Sequence, residues 1–189
     1  MTIWFTSDQH YGHANIIKFC NRPFANVDNM NETLITNHND HVQFDDEVYF
    51  VGDFAFLRPH EAEAVIKRLN GRKFLVRGNH DSKMDPCVAK HFVWVKDYFE
   101  LKVTDKTKSK GQQLIILMHY AMKVWNKSHH GSWQLYGHSH GNLPDDPNSL
   151  SIDVGVDNHN YCPISYDHVK QIMKKKTFKP IDGHGAKRV

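Results

Sequence analysis

The sequence predicts an α/β fold in which helices and strands form packed layers. In the first half of the chain, short β-branched and aromatic runs alternate with amphipathic stretches of helical period. In the second half, apolar runs are separated by polar turns, and the pattern changes to that of a hairpin and further strands. Strands that alternate with helices indicate a sheet covered by helices.

The first half is predicted to contain three strands and three helices. The last of these helices is the clearest, because Ala62, Val65, Ile66 and Leu69 share one apolar face and Gly71 follows as a stop. For the second helix, Asn29 or Asn31 is the expected N-cap. The predicted strands cover residues 2–7, 47–51 and 73–76; the helices begin near residue 14, break at residues 22–23, and then cover about 28–40 and 59–69.

The second half is predicted to be richer in strands. Residues 98–104 and 112–118 flank a polar turn and favour a hairpin. Residues 133–136 and 149–154 are predicted as further strands, and residues 165–175 as a terminal helix. With no internal repeat or linker in the composition, we expect a single domain over residues 1–189.

Composition excludes several classes of protein. The chain is 40% apolar with a mean hydropathy of -0.61, and no apolar run approaches the roughly 18 residues that span a bilayer. A membrane protein and a signal peptide are therefore not expected. Cys20, Cys87 and Cys162 form no paired motif and are expected to be reduced, which favours the cytoplasm.

The net charge of +3 is concentrated at the C-terminal end. The last twenty residues carry seven Lys or Arg and one Asp, so the remainder is net negative. A basic tail over about residues 174–189 is typical of a solvated helix end and terminus. The alternative is that this tail binds RNA or DNA, but nucleic acid is not the favoured partner.

Histidine is unusually abundant, with 15 residues, and several histidines stand beside Asp, Asn and Gly in short clusters. Imidazole and carboxylate ligands together suit divalent cations such as Mn, Fe and Zn. Each cluster directly follows a predicted strand, and loops at the carboxyl ends of strands converge on one crevice. The sequence therefore predicts a hydrolytic metal centre built from Asp8, His10, Asp53, Asn79, His80, His119, His138 and His140. Gly52, Gly78 and Gly137 precede members of this set, where the backbone must turn tightly or approach closely.

The order of these motifs resembles that of the calcineurin-like metallophosphoesterases. The signatures Asp8-x-His10, Gly52-Asp53, Gly78-Asn79-His80-Asp81, His119 and Gly137-His138-Ser139-His140 occur in sequence between positions 8 and 140. The resemblance implies a four-layer α-β-β-α sandwich, with two mixed sheets flanked by helices. It departs from the family at Ala121, where many relatives have a proline two residues after the fourth-signature histidine.

The resemblance also implies two divalent metal ions. Asp8, His10, Asp53 and His140 would hold one ion, and Asp53, Asn79, His119 and His138 the other, so Asp53 would bridge the pair. Manganese is the expected metal, with iron, zinc, nickel or magnesium as alternatives. Two ions that share a carboxylate and a hydroxide suit in-line attack of that hydroxide on a phosphate ester.

Two further residues of the third signature are expected to act directly in catalysis. His80 would face the bound phosphate and donate either to a phosphoryl oxygen or to the departing alkoxide, and Asp81 would orient the His80 ring and raise its basicity. Arg77 is expected either to contact the phosphate or to form a structural ion pair.

Substrate contacts are expected from other loops as well. His13 lies in the same loop as Asp8 and His10, and either reaches substrate or has a structural role. Trp125 and His129 lie in the loop of residues 120–132, which would form a pocket wall or an ordinary surface loop. Asp157 either closes the crevice or makes a turn.

The resulting hypothesis is a metal-dependent phosphoric ester hydrolase acting on a small substrate. A phosphodiester of nucleotide type is favoured over a monoester. The alternatives are a phosphomonoesterase or nuclease of the same superfamily, or a non-catalytic scaffold on the same fold. The complete ligand set argues against the scaffold, because buried Asp and His side chains without a cation would be costly.

Overall fold

The computed structural model describes residues 1–108 and 111–182. Within them the chain forms nine strands and five α-helices, together with 3-10 turns at Ser128–His130 and Val156–Asn158. The strands are β1 (Ile3–Thr6), β2 (Glu47–Phe50), β3 (Arg72–Val76), β4 (Val95–Lys96), β5 (Phe99–Thr104), β6 (Gln112–Leu117), β7 (Trp133–Tyr136), β8 (Ser151–Asp153) and β9 (Ile164–Ser165). The helices are α1 (Ala14–Phe19), α2 (Val27–His41), α3 (Pro59–Arg68), α4 (Pro86–Ala89) and α5 (Tyr166–Lys175).

Two mixed sheets form the centre of the fold, as predicted. The first has the order β4-β3-β2-β1-β9, with β9 antiparallel to β1 and the other pairs parallel. The second has the order β5-β6-β7-β8, in which β5 and β6 form the expected antiparallel hairpin and the other pairs are parallel. The α/β sandwich predicted from the sequence is therefore confirmed.

The main core lies where the two sheets face each other. Tyr49 of β2 stacks on Phe99 of β5 with ring centroids 6.4 Å apart, so the facing surfaces are in direct contact. Phe5, Ile115 and Leu117 are fully buried in the same cluster. Helix α5 closes one side of this layer, because its Tyr166 and Val169 belong to the cluster too.

A second core forms on the other face of the first sheet. The alternate strand residues Val48, Phe50 and Leu75 pack against Leu34 of α2 and Ile66 of α3. This alternation is what a strand buried on both faces requires, because successive side chains point to opposite faces. The helices thereby fix the first sheet as a rigid platform for the loops at its strand ends.

The outer face of the second sheet carries the segment of residues 120–132. Gln134, which points away from the face of β7 that holds Trp133, is fully buried. Its side chain accepts a hydrogen bond from the Met122 amide at 3.1 Å and donates one to the Tyr120 carbonyl at 2.8 Å. One buried amide side chain thus fastens this segment to the sheet.

Several local predictions need correction. The N-cap of α2 is Asn26, whose side chain accepts from the Asn29 amide, and neither Asn29 nor Asn31 caps the helix. The strand predicted over residues 149–154 is shorter, and Ile164–Ser165 forms β9 before α5 begins. The short elements β4 and α4 were not predicted, because two and four residues are too few to show a period.

The basic C-terminal segment is described only in part. Lys170 pairs with Asp105, and the Lys176 amine pairs with Asp145 and donates to the Ser151 carbonyl at 2.8 Å. These two cations are engaged within the fold. Residues 183–189, with Lys187, Arg188 and His184, lie outside the described residues. No helix of the described chain combines the length and the apolar character needed to cross a membrane.

Candidate metal centre

The predicted polar clusters meet at one edge of the first sheet. Strands β1 and β2 are parallel, so the loops that follow them leave the sheet side by side. The two loops are joined by backbone hydrogen bonds, from the Asp8 amide to the Gly52 carbonyl at 3.0 Å and from the His10 amide to the Asp53 carbonyl at 3.1 Å. The backbone therefore fixes the spacing between Asp8, His10 and Asp53.

Five of the predicted metal ligands have left-handed backbone conformations. The φ angles of Asp8, His10, Asp53, His138 and His140 lie between 46° and 66°. This conformation is uncommon for residues with a side chain and costs free energy, and such residues cluster at functional sites. The same costly backbone conformation at five candidate ligands indicates that the fold holds their side chains in directions that converge on one site.

Asp8, His10 and His140 form the first cluster. One potential ligand atom from each lies within 4.8 Å of the others. His140 Nε2 is 4.0 Å from Asp8 Oδ1, and the His10 and His140 rings are 5.1 Å apart between centroids. One carboxylate and two imidazoles at this spacing are a donor set suited to a divalent cation.

Asp53, His119 and His138 form the second cluster under the same distance criterion. The Asn79 side chain joins it, because its Oδ1 is 3.1 Å from His119 Nε2 and 3.0 Å from His138 Nδ1. His119 also places Nδ1 2.8 Å from the Val51 carbonyl, where only an N–H can bond. That bond leaves Nε2 as the atom that faces the oxygens of Asn79 and Asp53.

Asp53 lies between the two clusters. Its Oδ2 is 3.6 Å from His10 Nε2 and 3.5 Å from His119 Nε2. A carboxylate in this position can serve a cation on either side. The structure thus brings together the seven residues expected as metal ligands, in the two groups that the resemblance implies.

The buried atoms of the centre fit a bound cation. His10 Nε2 is buried without a hydrogen-bond partner among the described residues, although it faces Asp53. An unpartnered buried nitrogen costs about 1–3 kcal/mol, and coordination to a cation would remove this cost. The residues of the centre therefore fit a bound metal ion.

The pKa values describe the same field of charges. Burial raises the pKa of Asp8 to about 7 and lowers that of His10 to about 3, which keeps the His10 imidazole neutral. Burial would also raise the pKa of Asp53, but the nearby His119 imidazole and a hydrogen bond from the His80 amide lower it to about 2. The buried, ionised Asp53 carboxylate beside the neutral His10 imidazole therefore attracts a cation.

Two glycines allow the backbone to approach the carboxylates. A Cβ on Gly78 would collide with the Asp53 carboxylate, and one on Gly137 would collide with Ser7 Oγ and Asp8 Oδ2. This close approach lets the backbone amide of His138, directly after Gly137, donate to Asp8 at 2.9 Å, and the backbone amide of His80, two residues after Gly78, donate to Asp53 Oδ1 at 2.9 Å. The glycine positions predicted to need close approach have that role.

Arg22 and Asp157 support His140. Asp157 Oδ2 accepts from His140 Nδ1 at 2.7 Å, and the Arg22 guanidinium binds both Asp157 oxygens at 2.7 and 2.8 Å. Arg22 also donates to the backbone carbonyls of Asp8 at 2.7 Å and Gln9 at 3.0 Å. The buried Arg22 was not predicted as a site residue; its position beside Pro23 suggested only a helix break.

His80 and Asp81 diverge after Gly78. The exposed His80 ring is 5.4 Å from the His10 ring, and a ring nitrogen lies within 4.8 Å of a His10 ligand atom and an Asp53 oxygen. The Asp81 carboxylate is buried and accepts from the amides of Asp53 at 2.7 Å, Phe54 at 3.1 Å and Gly78 at 2.9 Å. Asp81 therefore positions the loop that carries Asp53, and the expectation that it orients the His80 ring is corrected.

The predicted substrate contacts fall in different places. Arg77 pairs with Asp97 at 2.8 Å, which is the ion-pair alternative. His13 lies at the edge of the metal centre, with its ring 5.4 Å from that of His10. Trp125 is buried, donates to Ser132 Oγ at 3.0 Å, and lines a cavity of about 550 Å³ on the outer face of the second sheet. His129 lies 3.6 Å from Asp182 in the same region.

Fold and site together define an α/β sandwich protein whose clustered His and Asp side chains can bind metal. An uncharacterized protein of Methanocaldococcus jannaschii is 34% identical over 180 residues, covering 92% of each chain, and the present chain belongs to the family of that protein. The gene 66 protein of Mycobacterium phage D29 is 26% identical over 194 residues, with 90% of this chain and 95% of the phage protein covered.

Among solved structures, a protein of unknown function from Aquifex aeolicus shares the fold. It aligns with a TM-score of 0.66 and 23% identity, over 90% of this chain and 98% of its own. No protein-family model matches the chain.

Proposed function

We propose that the protein is a two-metal phosphoesterase that hydrolyses a phosphodiester of nucleotide type in preference to a monoester. The observation that carries this proposal is the position of Asp53, with one oxygen 3.6 Å from His10 and 3.5 Å from His119, between two groups of metal-ligating side chains. A shared carboxylate between two cation sites is the arrangement that phosphoryl hydrolysis uses.

The cations supply a water of lowered pKa and neutralise the phosphoryl oxygens when they are bound. The chain's own residues do the rest. Asp8, His10, Asp53 and His140 would hold one cation, and Asp53, Asn79, His119 and His138 would hold the other. His80, exposed beside Asp53, donates a proton to the oxygen of the leaving group as its bond to phosphorus breaks.

Two cations and one general acid serve a diester and a monoester alike, so the preference for a diester is decided by comparing the two substrates directly. Manganese is the proposed metal, with iron, zinc, nickel or magnesium as alternatives. The substrate is proposed to be small, and the cytoplasmic location stays a prediction.

The test uses the full chain stripped of metal with a chelator. Turnover of bis(4-nitrophenyl) phosphate and of 4-nitrophenyl phosphate is measured before and after addition of Mn²⁺. We expect no turnover without metal, restored turnover with it, and a higher kcat/KM for the diester. A higher kcat/KM for the monoester would contradict the diester preference. If the protein binds two ions but turns over neither compound, the proposed phosphoesterase activity is contradicted and a binding scaffold is favoured.

A further inference from the structure

Two phenylalanine side chains stand exposed beside the metal centre. Phe56, in the loop after β2, is 54% exposed, and Phe19, at the end of α1, is 71% exposed. Both lie next to His13, whose ring is 4.6 Å from Phe56 and 6.2 Å from Phe19 between centroids. Exposed aromatic rings grouped at the edge of a polar site mark a surface that binds a partner or ligand.

Phe56 is the ring that connects this surface to the proposed chemistry. The His13 ring stacks on it at an interplanar angle of 21°. His80 meets Phe56 edge to face, with centroids 5.3 Å apart, and lies 5.4 Å from His10. Phe56 is therefore a direct neighbour of the proposed proton donor.

The backbone holds Phe56 in place although its side chain is exposed. The Phe56 amide donates to the Tyr11 carbonyl at 2.7 Å, and Tyr11 forms a parallel bridge with Ala55. The following Leu57 packs against Gly12, where a Cβ would collide with it. The ring is thus presented by the same pair of joined loops that carries His10 and Asp53, and its position relative to the centre is fixed.

We propose that the exposed Phe56 ring, backed by the His13 ring that stacks on it, is a platform on which a planar aromatic ring of the substrate's leaving group stacks. This inference rests on the proposed function, because His80 can protonate the leaving oxygen only if the leaving group lies on its side of the phosphorus. The organic part of that group then extends toward Phe56. A nucleobase or an aryl ring has the flat apolar face that such a platform binds, whereas an alkyl group or a bare sugar does not.

Binding of phosphate monoesters, whose single organic group can take the place of the leaving group, tests the platform without any need for turnover. Isothermal titration calorimetry with Mn²⁺-loaded protein compares adenosine 5′-monophosphate with ribose 5-phosphate, and phenyl phosphate with methyl phosphate. The members of each pair differ by the presence of the ring. The variants are Phe56→Ala, Phe56→Leu and, as a matched control, Phe44→Ala, because Phe44 is 83% exposed in the loop before β2, at the opposite end of the strand from Asp53.

We expect the wild-type protein to bind the ring-bearing member of at least one pair more tightly. Phe56→Ala should lower the affinity for that ring-bearing compound by about 5-fold to about 150-fold, the range that corresponds to stacking free energies of about 1–3 kcal/mol. It should change the affinity for the ring-free compound little, and Phe44→Ala should leave both affinities unchanged. A preference in the nucleotide pair alone identifies the ring as a nucleobase, and one in the phenyl pair alone identifies an aryl group joined directly to the phosphate.

Three outcomes would overturn the platform: equal affinities within both pairs, a ring preference that survives in Phe56→Ala, and a ring preference kept in full by Phe56→Leu. The last would mean that apolar contact rather than stacking selects the ligand. Turnover of bis(4-nitrophenyl) phosphate by the wild-type protein reports on the proposed function separately. Turnover without any ring preference would reject the platform and leave the phosphoesterase standing.

Discussion

His140 donates a 2.7 Å hydrogen bond from Nδ1 to Asp157, and this bond directs its other nitrogen toward Asp8. Arg22 holds Asp157 from the opposite side through two nitrogens and is itself anchored on the Asp8 carbonyl. A carboxylate behind a metal-ligating histidine fixes its tautomer and increases its basicity. The hydrogen bond between Asp157 and His140 therefore fixes the orientation of His140 within the first cluster of candidate ligands.

Replacing Asp157 with Asn should weaken one cation site selectively. The amide cannot keep the charged bond to His140 or the paired bond to Arg22, so the affinity for one Mn²⁺ ion should fall by about 10-fold to 100-fold. Titration calorimetry of the metal-free protein with Mn²⁺ measures both sites. Asp45→Asn, at an exposed aspartate before β2, is the matched control and should leave both affinities unchanged. Wild-type affinity at both sites in Asp157→Asn would contradict this positioning role.

Replacing Asp53 with Asn should instead affect both sites. Asp53 Oδ2 faces His10 and His119 at nearly equal distances, so loss of its charge removes a ligand from each cluster. We expect native mass spectrometry with Mn²⁺ to show two ions on the wild-type protein and reduced occupancy at both sites in the variant. Asp97→Asn, at a largely exposed side chain that pairs with Arg77, controls for the loss of one negative charge. Retention of two tightly bound ions would rule out the bridging position.

Replacing His80 with Ala should separate metal binding from turnover. His80 lies beside the clusters and its ring is exposed, so both ions should bind as in the wild-type protein. Turnover of a diester with a poor leaving group should fall by about 10²-fold to 10⁴-fold, the range of general acid-base catalysis. A diester with a good leaving group needs less protonation and should be affected less. His60→Ala, at an exposed histidine of α3, is the control; unimpaired turnover of the poor substrate in His80→Ala would remove His80 from the mechanism.

The sequence predicted that the candidate metal ligands meet at one edge of a sheet, because each of them lies shortly after the end of a strand. Asp8 and Asp53 end neighbouring parallel strands, so their proximity follows from the strand pattern alone. Arg22 was missed for the opposite reason. Its partner Asp157 is 135 positions away, and no local period connects an arginine in a helix break with an aspartate in a late turn.

Adjacency along the chain also proved to be a poor guide to contact. Asp81 follows His80 directly, which suggested that its carboxylate orients the imidazole. In the folded chain, however, Asp81 is buried and takes its hydrogen bonds from three backbone amides, while the His80 ring is exposed. Neighbouring side chains in a tight loop often point apart, and only the three-dimensional structure shows which backbone amides they reach.

The stability of the protein should fall in acid because of a histidine outside the metal centre. His38 of α2 is buried, its Nε2–H donates to the Asn70 carbonyl at 3.0 Å, and burial lowers its pKa from 6.5 to about 4. Above about pH 6.5 His38 is neutral in both the folded and the unfolded chain, so it does not affect the free energy of unfolding. Between about pH 6.5 and 4 the unfolded chain binds a proton at His38 and the folded chain does not, which favours unfolding. The free energy of unfolding should therefore fall by about 3 kcal/mol over this range.

The variant His38→Gln isolates this contribution. Glutamine can still donate to the Asn70 carbonyl but does not titrate, so its unfolding free energy should depend less on pH between about 6.5 and 4. Urea denaturation of chelator-treated protein at several pH values measures the difference, and chelation keeps metal release out of the comparison. His60→Gln, at an exposed histidine of α3, should keep the wild-type pH dependence. Parallel pH profiles for the wild-type protein and His38→Gln would show that His38 titrates normally in the folded state.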